Sequence, residues 1–323
     1  MTSLPAAGFS PSGLTARLAD PDPEVRRIAV MELPYCDEDE ILPLLLTAMT
    51  DGDALVRTEA AKAIEGFEEP EAVAALLAML HDHSEDARRA AAETLSELKN
   101  DSNSDLLLQH VNDNDPFAKA AVFRALRPLR AAGSLAPALA GLEHPAPQVR
   151  REATGVLGYL RNAGSLGPLT RVAMNDPDPE VRRIAVGALG FATDVEVLPA
   201  LTHALSDNSW QVREEAAGTL GKLKLNGAVD HLIGVMSDPY WQVRIRAARS
   251  LGRLKATGAL DVLFSALTHE ISNLRKEAAV ALGEIGDLRA IPALEAALQD
   301  PDPDVRKLTQ LALKSLQAAN SKR

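Results

Sequence analysis

A basic residue recurs along this chain at a nearly fixed spacing. It is arginine in nine copies and lysine in one, and successive copies stand 31 residues apart except for one step of 32. A period of about 20–50 residues is typical of repeat proteins, in which one short structural unit is stacked many times. The spacing therefore predicts an array of ten units. The ten positions are Arg26, Arg57, Arg88, Lys119, Arg150, Arg182, Arg213, Arg244, Arg275 and Arg306.

Apolar residues flank the basic residue at helical spacing. Leucine or isoleucine follows it by seven residues in every copy, as at Leu220, and an apolar residue directly precedes it, as at Val212. Alanine stands three residues after it in eight of the ten copies, as at Ala216. These positions share one face of an α-helix, which we name helix B. The alanines predict that neighbouring B helices pack closely.

A second apolar series, eight residues before the basic residue, predicts a preceding helix A. Proline is expected near its start, as at Pro43 and Pro199, and a turn rich in Asp and Pro follows it, as in DPDPEVR at Asp176. Asp caps free backbone N–H groups and Pro fits the first helical turn. One such helical hairpin buries too little apolar surface to fold alone, so the hairpins must stack. The predicted fold is all-α: an α-solenoid, wound as a right-handed superhelix, of about ten two-helix repeats of 31 residues.

The repeats also predict a domain organisation. We expect a flexible N-terminal leader (1–13), one continuous solenoid (14–318) and a short C-terminal tail (319–323). The solenoid covers every copy of the basic residue and of the apolar positions around it. The leader and the tail lack those positions.

Three zones of different regularity divide the predicted solenoid. Divergent repeats occupy 14–133, regular repeats 134–287 and a capping repeat 288–318. The regular repeats share glycine eight residues after the basic residue, as at Gly221. The last repeat places Thr309 where most copies have alanine, and a polar terminal layer is what a solenoid needs at its end.

Composition excludes several classes of function. The net charge of −11 argues against binding of nucleic acids or anionic membranes. No run of about 20 apolar residues exists to span a membrane. Cys36 is the single cysteine, which rules out an internal disulfide and fits a reducing compartment. We therefore expect a cytoplasmic protein.

The repeat sequence resembles a known family. The segments DNSWQVREEAAGTLG at Asp207 and DPYWQVRIRAARSLG at Asp238 resemble the HEAT-like repeats of the phycobilin (phycocyanobilin) lyase family. The resemblance spans nearly the whole chain and implies an α-solenoid. Proteins with such repeats include E/F-type bilin lyases, the iron-binding deoxyhypusine hydroxylase and scaffolding proteins. The resemblance thus leaves open a protein-binding scaffold, assembly factor or regulator, a lyase subunit that handles a tetrapyrrole, and a metal-dependent hydroxylase.

Catalytic and metal-binding patterns are weak in this sequence. The hydroxylase resemblance implies His-Glu pairs in several repeats, whereas this chain has the single pair His269-Glu270. His81 and His83 lack a third ligand nearby in sequence. His144 and His269 stand where other repeats have the turn Asp, so we interpret them as cap substitutes. No phosphate-binding loop, dinucleotide fingerprint or nucleophile elbow is present, and we name no catalytic residue, metal ligand or cofactor.

The basic series is itself interpreted as architecture, a ladder of charge-assisted hydrogen bonds to the Asp-rich turns. Partner binding is instead expected on the face of helix B that the core does not use, on the concave side of repeats five to eight. Aromatic residues and arginine dominate binding hot spots, and an arginine stripe favours a partner protein or peptide with carboxylates, or a tetrapyrrole with propionates. The candidate partner-binding residues are Tyr159, Phe191, Trp210, Gln211, Tyr240, Trp241, Gln242, Arg246, Arg249 and Arg253.

Overall fold

The computed structural model describes residues 11–35, 38–193 and 195–320, and these residues form α-helices and short 3-10 helices without a strand. Their twenty α-helices form ten consecutive pairs, which confirms the predicted all-α array of two-helix repeats. Odd-numbered helices correspond to helix A and even-numbered helices to helix B. Cys36 lies outside the described residues.

Contacts between Cα atoms divide the chain into two compact units, of which the first ends at Leu160 and the second begins at Arg161. Each unit contains five helix pairs. The N-terminal unit contains α1 (Pro11–Leu18), α2 (Pro23–Glu32), α3 (Glu38–Ala48), α4 (Ala54–Ala63), α5 (Pro70–Met79), α6 (Glu85–Ser96), α7 (Ser104–Leu108), α8 (Pro116–Leu129), α9 (Leu135–Gly141) and α10 (Pro147–Leu160). The C-terminal unit contains α11 (Leu166–Asn175), α12 (Pro179–Ala188), α13 (Leu198–Ala204), α14 (Trp210–Leu223), α15 (Val229–Val235), α16 (Trp241–Arg253), α17 (Leu260–Ala266), α18 (Ser272–Ile285), α19 (Ile291–Ala297) and α20 (Pro303–Asn320).

The ends of the array differ in detail from the expected boundaries. Helix α1 begins at Pro11, inside the segment expected to be a flexible leader, while residues 1–10 lie outside the described part of the chain. Helix α20 continues to Asn320, inside the expected tail, and residues 321–323 are not described. That the repeats form one continuous solenoid, with divergent, regular and capping zones, stays a prediction.

The core of each unit lies between its A and B helices and between successive B helices. In the C-terminal unit α14 packs against α16, α16 against α18 and α18 against α20. Val212, Ala216 and Leu220, which occupy the predicted apolar positions of helix B, are completely buried. The helical period of these positions therefore identifies the face that contacts the neighbouring repeats.

Aspartate and proline start the B helices as expected. The carboxylate of Asp178 accepts the N–H groups of Glu180 and Val181, at 2.8 and 3.1 Å, and Pro179 fills the first helical position. The expectation for Pro43 is wrong, because α3 begins at Glu38 and Pro43 lies inside it.

The recurring arginines form a ladder that joins successive repeats. Nε and Nη2 of Arg213 donate to the two carboxylate oxygens of Asp238, at 2.6 and 3.0 Å, in the turn of the next repeat. Nη1 of Arg213 donates to the backbone carbonyl of Asp207, at 2.8 Å, in its own turn. We call this set of bonds the arginine ladder, and it confirms the structural role expected of the series. The same carboxylate pairing, always 25 residues apart, joins Arg26 to Asp51, Arg57 to Asp82, Arg182 to Asp207 and Arg275 to Asp300.

The ladder lowers the pKa of its aspartates. Hydrogen bonding from Arg57 lowers the pKa of Asp82 below its usual 3.8, and hydrogen bonding from Arg275 does the same for Asp300. The folded protein therefore binds fewer protons at these carboxylates than the unfolded chain does between the two pKa values. Their contribution to stability is complete above the unfolded pKa and is lost as the pH falls through the folded pKa.

Acid is accordingly expected to destabilise the fold below about pH 4. The midpoint of thermal unfolding should fall between pH 5 and pH 2.5, and the fall should be smaller in Asp82→Asn, which has no carboxylate to protonate at that position. Asp105→Asn, at an exposed site of α7, is the control and should follow the wild type. Equal pH dependence of Asp82→Asn and the wild type would contradict the contribution of the ladder.

Within the described residues, each helix is too short or too polar to cross a lipid bilayer.

Candidate partner-binding groove

The predicted site residues divide between the two units. Tyr159 lies near the end of α10 in the N-terminal unit, where the guanidinium groups of Arg127 and Arg130 lie over its ring at 5.5 and 5.9 Å. The other nine residues lie in the C-terminal unit, and Phe191 is half-buried in a 3-10 turn after α12. That Tyr159 shares a binding surface with these nine stays a prediction.

Three B helices of the C-terminal unit, α12, α14 and α16, border a groove of about 370 Å³, which we call the helix-B groove. Three of the predicted candidate residues, Arg246, Arg249 and Arg253, line it. The charged side chains that line it are Glu214, Glu215, Lys222, Arg246, Arg249 and Arg253. The structure therefore brings the three predicted arginines together in one groove.

Glycines keep the groove open. Gly187 and Gly218 both line it, five residues after the basic residue of their repeats. A Cβ atom at Gly187 would lie 2.9 Å from Oε1 of Glu215, so even an alanine there would displace that side chain. At Gly218 the nearest atom, Cδ of Arg246, would lie 3.8 Å away, and a methyl group would fit.

Two of the three arginines are held by carboxylates of neighbouring repeats. Arg249 donates to both oxygens of Glu277, at 3.0 and 2.6 Å, and Nε of Arg246 donates to Glu214 at 3.0 Å. The hydrogen bonds from Arg249 raise the pKa of its guanidinium. These pairs hold both side chains in place, and their charges are already partly neutralised.

Two other cations in the groove have no carboxylate partner among the described residues. Arg253 was predicted, whereas Lys222 was missed. Both stand nine residues after the basic residue of their repeat, as the predicted Tyr159 and Phe191 also do. The ammonium of Lys222 lies over Gly190, where an added Cβ would be 3.0 Å from Nζ. Considering charged as well as aromatic residues nine residues after the basic residue would have predicted Lys222 from the sequence.

Aromatic side chains cluster at the N-terminal ends of α14 and α16. The rings of Trp210 and Tyr240 stack with centroids 5.5 Å apart and planes 13° from parallel. The guanidinium of Arg213, held in the arginine ladder, lies 5.6 Å from the centroid of Tyr240. Trp241 is 37% exposed and Tyr240 45% exposed. We call Trp210, Tyr240 and Trp241 the aromatic cluster.

The two glutamines beside the aromatic cluster differ in environment. Gln211 is exposed, and its Oε1 accepts a hydrogen bond of 2.7 Å from the hydroxyl of Ser209. Gln242 is half-buried, and its Oε1 is buried without a donor among the described residues. Burying an amide oxygen without a donor costs about 1–3 kcal/mol. A donor from a binding partner or a water would remove that cost.

The histidines behave as the sequence predicted at the turns. Nδ1 of His144 accepts the N–H of Ala146 at 3.1 Å, and Nδ1 of His269 accepts the N–H of Ile271 at 3.0 Å, as the turn aspartates do elsewhere. His81 hydrogen-bonds to Asp113 at 2.8 Å. Across residues 11–35, 38–193 and 195–320, no group of three or more His, Cys, Asp or Glu side chains is placed to hold a metal ion.

Similarity to solved structures agrees with the fold. An engineered protein has a TM-score of 0.55 at 20% identity, with 94% of this chain and 98% of that chain covered. Kap95p, whose binding induces the switch loops of RanGDP to adopt the GTP-bound conformation, has a TM-score of 0.65 at 14% identity, with 94% of this chain and 49% of that chain covered. At these identities the likeness concerns the fold alone.

The lyase resemblance is weaker in structure than in sequence pattern. The CpcE and CpcF complex of phycocyanin lyase from Nostoc sp. PCC7120 is 23% identical, over 67% of this chain and 87% of that chain, with a TM-score of only 0.45. That likeness is too low to place this chain among the lyases. No curated protein sequence shows significant similarity to it.

A family model described as HEAT repeats matches most of the chain. The matched segments overlap and together include nearly all of the helices described above. They cover 11–83, 59–127, 135–221, 172–240 and 229–314. The predicted HEAT-like repeat is thus confirmed, and the chain belongs to the HEAT-repeat family.

Proposed function

We propose that this protein is a scaffold, assembly factor or regulator that binds an acidic segment of a partner protein along the helix-B groove. The observation that carries the proposal is a pair of cations in the groove, Lys222 and Arg253, that have no carboxylate partner among the described residues. The aromatic cluster lies at the N-terminal ends of α14 and α16, two of the helices that border the groove. HEAT-repeat solenoids are typical of protein-binding scaffolds, since stacked repeats present extended surfaces.

The groove and the aromatic cluster lie on connected helix faces. Trp210 and Glu214 are four residues apart on α14, and Gln242 and Arg246 are four residues apart on α16, so each pair occupies one side of its helix. A segment lying along these helices can therefore contact aromatic rings first and charged groups farther on. Anchors of tryptophan and tyrosine beside arginine have the composition of interface hot spots.

The ion pairs of Arg246 and Arg249 within the protein affect which cations are free to bind carboxylates of a partner. Arg246 and Arg249 already have Glu214 and Glu277 as partners, so a carboxylate from outside would compete with an internal one. Lys222 and Arg253 have no such competitor in the described residues. We therefore assign recognition of partner carboxylates to Lys222 and Arg253, and a positioning role to the two paired arginines.

The proposal is tested by comparing proteins captured by the wild type and by a Lys222→Glu, Trp241→Ala, Arg253→Glu variant. Capture of specific partners should fall at least tenfold, since the variant reverses both free charges and removes an exposed anchor. Lys307→Glu with Lys314→Glu, at exposed positions of α20, reverses as many charges outside the groove and should leave capture unchanged. Retention of the same partners by the groove variant would show that this surface is not the binding site.

A tetrapyrrole with two propionates is the alternative ligand for the same groove. Its two carboxylates would pair with Lys222 and Arg253, and one ligand would then satisfy both free cations. Addition of a bilin should in that case shift its absorption spectrum, and the shift should disappear in Lys222→Glu, Arg253→Glu. An unchanged spectrum with the wild type would leave the partner protein as the ligand of the groove.

A further inference from the structure

The arginine ladder lacks a carboxylate at one position in the C-terminal unit. In the neighbouring repeats the acceptor lies 25 residues after the arginine, but 25 residues after Arg244 the chain has His269. Nδ1 of His269 accepts the N–H of Ile271, so the hydrogen of the neutral ring is on Nε2 and the ring has no lone pair left for a guanidinium. Nε of Arg244 is buried and has no hydrogen-bond partner among the described residues.

The second histidine that replaces a turn aspartate does not leave an arginine without its acceptor. His144 also replaces a turn aspartate, but the residue 25 positions before it is Lys119 and not arginine. In that pair of positions both the planar guanidinium and the carboxylate are absent. A lysine ammonium is compact and easily hydrated, whereas an arginine presents a fixed fork of donors that matches a carboxylate. Arg244 retains the guanidinium, but the carboxylate that accepts its hydrogen bonds in the neighbouring repeats is absent.

A third departure from the ladder keeps a carboxylate near its arginine. The aspartate 25 residues after Arg88 is Asp113, which hydrogen-bonds to His81 instead. Nη1 of Arg88 lies 3.8 Å from the carboxylate of Asp115, and its guanidinium lies 5.3 Å from the ring centroid of Phe117. Among the described residues Arg244 has no carboxylate within ion-pair distance and no ring under its guanidinium, although it acts electrostatically on Asp238. The carboxylate of Asp238, six residues earlier, is taken up by Arg213.

A cavity of about 200 Å³ lies beside Arg244. Residues of α15 and α17, the A helices of two successive repeats, form part of its wall. The lining combines Arg244 and His269 with the apolar side chains of Ile233, Met236, Val262 and Leu274. The cavity thus offers one unpaired cation in an otherwise largely apolar surround, and it shares no residue with the helix-B groove.

We infer that this cavity binds a carboxylate that carries a short apolar group, with the guanidinium of Arg244 as the partner of the carboxylate. The ligand would complete the missing bond of the ladder, and its apolar part would contact the aliphatic wall. A carboxylate bound by two parallel N–H groups gains a charge-assisted pair. Such a carboxylate can come from a free small acid or from an acidic side chain next to an apolar residue in a protein segment.

Titration of the full-length protein with defined probes distinguishes these sources. The probes are butyrate, its uncharged counterpart butyramide, and the peptide acetyl-Leu-Glu-Leu-amide, and the signals followed are the Arg244 Nε–H and His269 ring resonances. Binding of butyrate but not butyramide identifies a free acid as a sufficient ligand. Binding of the peptide alone identifies a protein segment. If none of the carboxylate probes perturbs these signals, the inference is wrong.

Two variants locate the binding at Arg244. Arg244→Met removes the cation and should weaken binding of the active probe at least tenfold. His269→Asp supplies the carboxylate that the neighbouring repeats contain; it should raise the midpoint of thermal unfolding and also weaken probe binding at least tenfold. Because His269→Asp restores the repeat pattern, it remains informative even if Arg244→Met does not fold.

The same exchange in the other repeat serves as the matched control. His144→Asp places a carboxylate opposite Lys119 in the N-terminal unit and should leave probe binding at Arg244 unchanged. Equal binding to the wild type and to both Arg244→Met and His269→Asp would overturn the assignment of Arg244.

Discussion

Replacement of Asp238 by alanine is expected to destabilise the C-terminal unit by about 3 kcal/mol. The carboxylate of Asp238 accepts hydrogen bonds from Nε and Nη2 of Arg213 and, at 2.8 Å, from the N–H of Tyr240. One substitution therefore removes an ion pair and a turn hydrogen bond. The side chains of Arg213 and Asp238 are only 11% and 7% exposed. Water therefore replaces the lost carboxylate poorly. Urea unfolding followed by circular dichroism measures the change.

The control for Asp238→Ala is Asp230→Ala, at an exposed position of α15, which should change the free energy of unfolding by less than about 0.5 kcal/mol. Adding Arg213→Met to Asp238→Ala should cost less than the sum of the two single changes, since both remove the same pair. A loss below about 1 kcal/mol in Asp238→Ala would contradict the stabilising role given to the ladder.

Replacement of Gly221 by alanine is expected to cost at least about 2 kcal/mol, although alanine favours helix formation more than glycine does. An added Cβ would lie 2.2 Å from the hydroxyl oxygen of Ser250 and 2.8 Å from its Cα. The second atom belongs to the backbone of α16, so α14 and α16 would have to separate. The midpoint of thermal unfolding should fall, with helix content retained below the transition.

Gly218 on the same helix provides the matched control. Gly218→Ala places its methyl group no closer than 3.8 Å to the nearest atom, and the gain in helix propensity should make the variant neutral or more stable by up to about 1 kcal/mol. Ser250→Gly should restore part of the stability lost in Gly221→Ala, because it removes Oγ and Cβ of Ser250, the two atoms nearest to the added methyl group. Equal stability of the two alanine variants would contradict close approach at Gly221.

The sequence could predict the features that repeat. Ten copies of one pattern indicate which positions are common to all, so the period, the helix pair, the buried positions of helix B and the role of the arginine series were all accessible. Even the substitution of histidine for the turn aspartate could be predicted at His144 and His269, because the repeat shows what each residue replaces. These inferences depend on equivalent positions, and a solenoid places equivalent positions in equivalent surroundings.

Contacts specific to one pair of repeats could not be predicted in this way. Arg249 pairs with Glu277, 28 residues later, and Arg246 pairs with Glu214, 32 residues earlier. Neither offset is the repeat period, since each depends on how long side chains cross between adjacent helices. The stacking of Trp210 on Tyr240 likewise joins two different repeat positions. The three arginines of the groove were thus predictable, but which of their charges are already neutralised was not.

The arginine ladder pairs an arginine with an aspartate at a constant distance along the sequence, so repeats that follow this pattern can replace one another. Where the pairing forms, the arginine needs only an aspartate 25 residues ahead, whichever repeat provides it. Excision of residues 183–213, a segment of 213 − 183 + 1 = 31 residues, would leave Arg182 with Asp238 at 238 − 182 − 31 = 25 positions ahead. Loss of this repeat would therefore shorten the protein without leaving a guanidinium unpaired at the junction, whereas a deletion of another size there would break the bond.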